Sequence, residues 1–314
     1  MIHLLPVLLV GWLGISSALA GDIAFVTNQS SNDISVIDLD NGKTLKTIPV
    51  GGKPAAVAVG PYGARIYVVS PDSKTLSVIA HDTLSVTKRI KLDGGPFGVA
   101  VHPDGQRVYI TDWYNARVFE VAPDTGQVLR IIKVGESPAG VAVTPDGSRV
   151  LSADRDSDQV SIIDTDSGER IAIVPVGERP FGVTIDSTGT RAYTADVGTN
   201  TVTVIDIANA RAIGQVKVQE RPYVVALTGG RGFVTNQYAD TVSVFDLETL
   251  QPVGTIDVGE YPEGIINSTD GRRVYVANWF SNTLSVIDVQ TLRVTAEYET
   301  GDGPRAFGAF LLAE

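Results

Sequence analysis

The sequence predicts an all-β protein, a seven-bladed β-propeller with four antiparallel strands per blade, because three markers recur seven times in register. The first is a strand end led by an aromatic in six of the seven copies: FVTN at 25–28, YVVS at 67–70, YITD at 109–112, LSAD at 151–154, YTAD at 193–196, FVTN at 233–236 and YVAN at 275–278. The second is a strand written SVID or nearly so, ending at Asp38, Ala80, Val121, Asp164, Asp206, Asp246 and Asp288. The third is a proline at 54, 96, 138, 180, 222, 262 and 304, usually with glycine three residues earlier, as at Gly135, Gly177, Gly259 and Gly301. Successive strand ends, and successive prolines, are 42 residues apart, except for one unit of 40 that is shortened between Pro222 and Asn236.

Each unit resolves into four elements. Strand A follows the proline and strand B ends in the aromatic-led marker. Strand C ends near the repeated Asp, as in Ile34-Ser-Val-Ile or Leu284-Ser-Val-Ile, short and β-branched between turn residues. Strand D leads to the next glycine. PDG at 103–105 and 145–147 makes tight A–B turns, with glycine taking the positive φ such turns need. A lone four-stranded sheet cannot bury both its faces, so units of this kind stack radially as propeller blades. The chain from Asp22 to Val50 supplies strands B, C and D without a strand A, and a surplus strand A follows Pro304. Arg305 to Leu312 is therefore expected to pair with the amino-terminal three strands and close the ring, leaving no exposed edge between first and last blades.

Residues 1–20 stand apart from the repeat. Leu4 to Ile15 is almost wholly apolar, and Ala18-Leu19-Ala20 has the small-x-small pattern of a signal-peptidase site, so removal after Ala20 and a periplasmic or secreted domain over 21–314 are expected, with a retained anchor as the alternative. The apolar core is short for a membrane span. No Cys occurs, which removes disulfides, thiolate metal sites and a lipoprotein anchor. The net charge of −11 disfavours sequence-independent nucleic-acid binding, which needs clustered Lys and Arg to release counterions.

The markers resemble those of the YVTN-family β-propeller repeat proteins, and the resemblance covers the whole mature chain. It implies the propeller fold and an extracytoplasmic location. It does not select a function, because members and related propellers include periplasmic proteins encoded beside quinoprotein alcohol-oxidation systems, a periplasmic DNA-binding protein, surface-layer proteins, lactonases and dehydrogenase subunits. An accessory role beside periplasmic oxidoreductases is one implication among these.

Strand alternation sorts the loops. The D–A and B–C loops emerge on one face of the ring, and the A–B and C–D loops on the other. The first face carries Trp113 and Trp279, at the same repeat position three blades apart, followed by Tyr114 and Phe280, with Tyr238 in an adjacent loop position. Phe97, Phe181, Tyr223, Glu263 and Arg305 follow the prolines; Arg179 and Arg221 lie in D–A loops beside Glu178 and Glu220, Glu260 precedes Tyr261, and Arg155 lies in a B–C loop. Exposed aromatics beside Arg suit a recognition surface at the central funnel for a protein partner or small molecule. The competing reading is that these rings pack loops against neighbouring blades, most plausibly for Phe97 and Phe181.

The opposite face has polar hairpins and the two histidines outside the leader, His81 and His102, which are expected to be structural. With no His or Cys on the recognition face, a Ser-His-Asp triad, a His-ligated zinc and a His- or Met-ligated haem lose their groups. Carboxylate chemistry by Glu178, Glu220, Glu260 or Glu263 keeps an enzyme or enzyme subunit as the alternative to a non-catalytic binding or scaffold protein. Single-stranded DNA stacked on the aromatics is a further alternative. No cofactor is expected. Asp154, Asp156 and Asp158 alternate like the start of a calcium loop, but its glycine and distal glutamate are missing, so a polar turn is preferred over a calcium or lanthanide site. The Asp repeated at 38, 164, 206, 246 and 288 is read as structural.

Overall fold

In a computed structural model that describes residues 21–313, the chain forms seven four-stranded antiparallel sheets in a ring, a seven-bladed β-propeller. The leader read over 1–20 lies outside the described residues. Among the described residues no helix is long and apolar enough to cross a membrane. Blade 1 orders Leu311–Leu312, Ile23–Asn28, Asp33–Asp38 and Lys43–Pro49, so the carboxyl end does supply its strand A. The closure is longer than that two-residue pairing, because Arg305 N–H donates to Thr27 O at 2.7 Å and Phe25 N–H donates to Phe310 O at 2.8 Å. The same segment reaches blade 2: Val57 N–H donates to Phe307 O and Val59 N–H to Ala309 O.

The aromatic at the head of each marker has a packing role. Phe25, Tyr67, Tyr109, Tyr193, Phe233 and Tyr275 are at most 2% exposed, where they fill the space between blades. Strands B and C, sandwiched between neighbouring blades, are buried on both faces, whereas the outer strand D alternates, as in Ser85–Lys91 and Gln127–Lys133. At the axis, strands A approach closely. A Cβ on Gly264 would lie 2.2 Å from Ala306 O, and one on Gly98 would lie 2.3 Å from Ala139 O. Glycine here is a spacing device between adjoining backbones.

The last residue of each marker is a buried polar clamp. Asn28, Ser70, Asp112, Asp154, Asp196, Asn236 and Asn278 are fully buried. In five blades the side chain meets a Ser or Thr in strand C, seven residues on. Asn28 donates to Ser35 at 2.9 Å, Asn236 to Ser243 at 3.0 Å and Asn278 to Ser285 at 2.8 Å, while Asp154 accepts from Ser161 and Asp196 from Thr203. In blade 3 the corresponding residue is Phe119. There Arg117 supplies the partner, its Nε 2.7 Å from Asp112 Oδ2 and its guanidinium over the Phe119 ring. The clamp also takes N–H groups of the D–A loop, from Gly95 to Asp112 and from Gly135 to Asp154. Desolvated backbone groups must find partners, and where the clamp does not take them the strand-C hydroxyl beside it does, as Ser35 does for Gly301 N–H, Thr203 for Gly177 N–H and Ser243 for Gln219 N–H.

The repeated Asp at the end of strand C has the structural role read from its repetition. Asp38, Asp164, Asp206, Asp246 and Asp288 accept N–H groups of the following turn, from Asp40, Ser167, Asn209, Thr249 and Thr291. His102 is likewise structural, buried with one ring nitrogen 2.9 Å from Gly147 O and the other accepting from Asp104 N–H.

Two outcomes follow. Ending the chain before Gly303 removes the strand that completes blade 1 and its bonds to blade 2, and the cooperative thermal transition followed by circular dichroism is expected to disappear; a normal melt would contradict the closure. The second concerns Asp196, whose carboxyl burial pushes up to about 6, with hydrogen bonds from Thr203, Thr194 and Thr201 only partly offsetting it. An unfolded Asp ionises near 3.8, so between these values the folded state keeps a proton that the unfolded state has lost, and stability falls as pH rises through the window, by about 3 kcal/mol in all. Three other blades run this position as Asn. Asp196→Asn should therefore gain stability relative to the parent by ~2–3 kcal/mol between pH 4 and pH 7 in urea denaturation. A pH-independent difference would show that the carboxylate stays ionised.

Candidate functional site

The face formed by the D–A and B–C loops is held by two repeated hydrogen bonds. In the first, made in six blades because blade 2 has Pro71 at the donor position, the residue after the marker donates its N–H to the carbonyl of the residue before the next-door proline: Trp113 to Gly95, Arg155 to Ser137, Val197 to Arg179, Gln237 to Arg221, Trp279 to Tyr261 and Gln29 to Gly303, at 2.8–3.3 Å. In the second, the residue before the proline donates its own N–H to an Asn or Asp closing the preceding B–C loop: Arg179 to Asp158, Arg221 to Asn200, Tyr261 to Asp240, Gly303 to Asn282 and Lys53 to Asn32, at 2.8–2.9 Å. Arg179, Arg221 and Tyr261 are held with positive φ, 55°, 59° and 58°, so these side chains leave the backbone in a direction set by the loop.

On this frame the predicted residues gather into two clusters and a link. In the first, Phe97, Phe181, Tyr223 and Phe307 plug the axis, with Phe181 and Tyr223 stacked at 4.2 Å and Phe97 edge-on to Phe181 at 5.6 Å. Trp113 packs on Phe97 at 5.2 Å, and Arg155 lies over Trp113 at 5.6 Å. Phe97, Phe181, Tyr223 and, in large part, Trp113 thus take the packing role. The second cluster is Tyr238, Tyr261, Trp279 and Phe280, with neighbouring ring centroids 4.6–6.1 Å apart. This one is open to solvent, Tyr238 being 54% and Phe280 58% exposed. Tyr114 stands alone at the rim, 81% exposed, and the exposed Arg179 joins neither cluster.

A polar chain runs between the clusters. Arg305 donates to the Tyr223 hydroxyl, lies over Phe97 and Tyr223, and its Nε is 2.8 Å from Glu263 Oε2. That last contact is a charge pairing; neither atom has an aligned hydrogen bond. Glu263 Oε1 accepts from Gln237 Nε2 at 2.9 Å, Gln237 Oε1 accepts from Arg221 Nε at 2.7 Å, and Arg221 lies over Tyr238 at 4.7 Å. Glu263 is 3% exposed, and burial pushes its carboxyl up to about 7 against the pull of Arg305 and Arg221. Burial also pushes the Tyr223 phenol up.

The three carboxylates of the calcium-like string do not converge. Asp154 is a blade clamp, Asp156 pairs with Arg155, and Asp158 caps Arg179 N–H, each doing what its repeat position or neighbour dictates. Among the described residues no three His, Cys, Asp or Glu side chains are grouped to share a metal. Three participants escaped the sequence reading of the site. Gln237 occupies the repeat position of Trp113 and Trp279, and that equivalence was a usable signal. Tyr261 was visible only as a D–A loop residue. Phe307 sits where the other blades have Val57, Val99, Val141, Val183, Val225 or Ile265, so its departure from the register also marks it.

The axial plug decides where space remains. Beneath it the channel widens into a cavity of about 750 Å³, floored by Phe307, walled by Val99, Val183 and Ile265, and bordered by the A–B loop residues Asp186 and Gly230. The funnel expected between the two tryptophans is closed on their side, and the cavity opens toward the A–B face.

No family model and no curated protein matches the chain. Its fold is similar to that of a functionally unknown protein from Desulfotomaculum acetoxidans, with a TM-score of 0.79 and 18% identity over 90% of this chain and 98% of that one. It is also similar to Kuenenia stuttgartiensis hydrazine synthase, with a TM-score of 0.55 and 20% identity over 76% of this chain and 96% of that one. At these identities the likeness is one of fold.

Truncating one member of the Arg305–Glu263 pair leaves the other charge buried and unpaired. Arg305→Met should cost about 3–5 kcal/mol in urea denaturation, and adding Glu263→Met should recover most of it. Equal losses in single and double variants would mean the pair is not coupled.

Proposed function

We propose that this propeller is an extracytoplasmic, non-catalytic binding or scaffold protein whose D–A/B–C face receives a protein partner. One observation carries the reading: four aromatic rings, Tyr238, Tyr261, Trp279 and Phe280, form a continuous, partly exposed patch on loops whose backbone is fixed bond by bond. Rigid aromatic side chains give large contact area at small entropic loss, which is the composition of interface hot spots. The extracytoplasmic location rests on the leader pattern, and an accessory role beside periplasmic oxidoreductases rests on the resemblance to YVTN-family propellers.

The enzymatic alternative has weaker support. Its best acid or base, Glu263, is buried and already engaged by Gln237 and Arg305, whereas a general base must reach the substrate proton. Single-stranded DNA is disfavoured by exposed carboxylates around the same rings. A small apolar molecule has a different seat, the axial cavity walled by Val99, Val183 and Ile265.

The test uses the mature chain as bait in an envelope extract of the source organism. Tyr238→Ala/Phe280→Ala should keep the parental melting temperature and lower partner recovery at least tenfold. Undiminished capture would move the binding surface elsewhere, and turnover abolished by Arg221→Ala or Glu263→Gln in a folded variant would favour the enzyme.

A further inference from the structure

The open aromatic patch is bordered by carboxylates without cations. Phe280 N–H donates to Glu260 O, Tyr261 N–H donates to the Asp240 carboxylate, and Trp279 packs where a Cβ on Gly303, next to Asp302, would lie 3.1 Å from the indole nitrogen. Asp240, Glu260 and Asp302 are exposed, and among the described residues none of them forms an ion pair. The basic side chain that reaches the patch, Arg221, is held by Gln237 and lies against Tyr238. Glu260 and Asp302 also belong to a larger pattern. The residue two before the proline is acidic in five consecutive blades, as Glu136, Glu178, Glu220, Glu260 and Asp302, and every one is exposed. The register places them at equal radius, so five negative charges form an arc on this face.

Resting on the binding role proposed above, we infer that the partner is a basic protein, which seats an apolar centre on Tyr238, Trp279 and Phe280 while its Lys and Arg side chains meet Asp240, Glu260 and Asp302. The rings lie edge to face against one another, at 80° for Trp279 and Phe280 and 67° for Tyr261 and Phe280, so they make a packed platform and leave no cage for a lone small cation. A platform with a charged rim is the usual arrangement of a protein interface, in which the apolar centre holds and the rim charges steer and select. The sign follows from the rim: an acidic partner would bring like charges together around a desolvated centre, which costs binding energy. Charge complementarity of this kind also predicts association that weakens with salt.

The register supplies a substitution set that removes charge and keeps shape. Asn already serves as the loop-closing acceptor at positions 32, 200 and 282, so Asp240→Asn retains the bond to Tyr261 N–H. The triple variant Asp240→Asn/Glu260→Gln/Asp302→Asn is compared with Asp82→Asn/Asp166→Asn/Glu248→Gln, which makes the same charge change at exposed positions on the opposite face. The probe is a twelve-residue peptide of alternating Lys and Leu with blocked ends, followed by tryptophan fluorescence in a Trp113→Phe background at low and high salt; its Glu–Leu counterpart is the control. The expected result is binding of the Lys peptide only, weakened about tenfold by the top-face triple variant and by high salt, and changed less than twofold by the opposite-face set. Equal weakening by both sets, or binding of the Glu peptide as well, would overturn the inference. If Tyr238→Ala/Phe280→Ala abolishes partner capture from the extract while the top-face charge variant leaves both capture and peptide binding intact, the basic-partner inference fails and the binding role survives. If neither set changes capture or peptide binding, both fail.

Discussion

The buried polar residue at the end of strand B is the constraint on which the rest of this propeller depends. It sits where a strand must stop, turn and return while its backbone is shielded by a neighbouring blade, and the D–A loop arrives there with N–H groups that also need acceptors. A small side chain with an amide or carboxylate that reaches strand C meets these demands, as Asn and Asp do in six blades, whereas the shorter Ser70 of blade 2 makes no such bond. Blade 3 shows the rule by its exception, since Phe119 in place of the usual hydroxyl coincides with Arg117 bound to Asp112. The cost of using Asp is burial of a carboxyl, which shows in the raised pKa of Asp154 and Asp196.

Because the clamp, the strand-C hydroxyl beside it and the repeated backbone bonds between the loops hold this face, the D–A and B–C loops are fixed in position independently of most of their side chains. The residue after the marker is Gln29, Pro71, Trp113, Arg155, Val197, Gln237 or Trp279, and the residue after the proline is equally varied. Scaffold and surface are thereby separated, and an exposed aromatic patch is carried by blades 6 and 7 without disturbing the ring. The same separation lets the two equivalent tryptophans, both half-buried, pack against different neighbours. Trp113 has Phe97 and Phe181 as neighbours at the axis, whereas Trp279 has Tyr261 and Phe280 toward the rim.

The axis is governed by two opposite devices. Glycine at 98, 140, 182 and 264 lets strands A approach until their backbones nearly touch, and the aromatic residues at 97, 181, 223 and 307 then fill what the approach leaves open at one end. Since the plug lies on the D–A/B–C side, that face is closed at the axis, and the axial cavity lies behind it. The Glu263–Arg305 pair bridges blade 7 and the strand that completes blade 1, where the ring closes.

Seven repeats in register determined the blade count, the strand order within a blade, the closure by the carboxyl-terminal strand, and the sorting of loops into two faces, because each of these follows from local periodicity and the need to pair strand edges. The aromatic-led strand ends could be read from the sequence because their roles, interblade packing for the aromatic and hydrogen bonding for the polar residue, are met within about one blade. Which aromatics became plug and which became surface was decided only by tertiary structure. That choice depends on radius from the axis and on what the blade across the channel presents, such as Phe307 opposite Phe181, and these residues lie 126 positions apart in the chain. The engagement of Glu263 by Arg305, Gln237 and, through it, Arg221 was likewise set by curvature of the ring, which no repeat unit contains by itself.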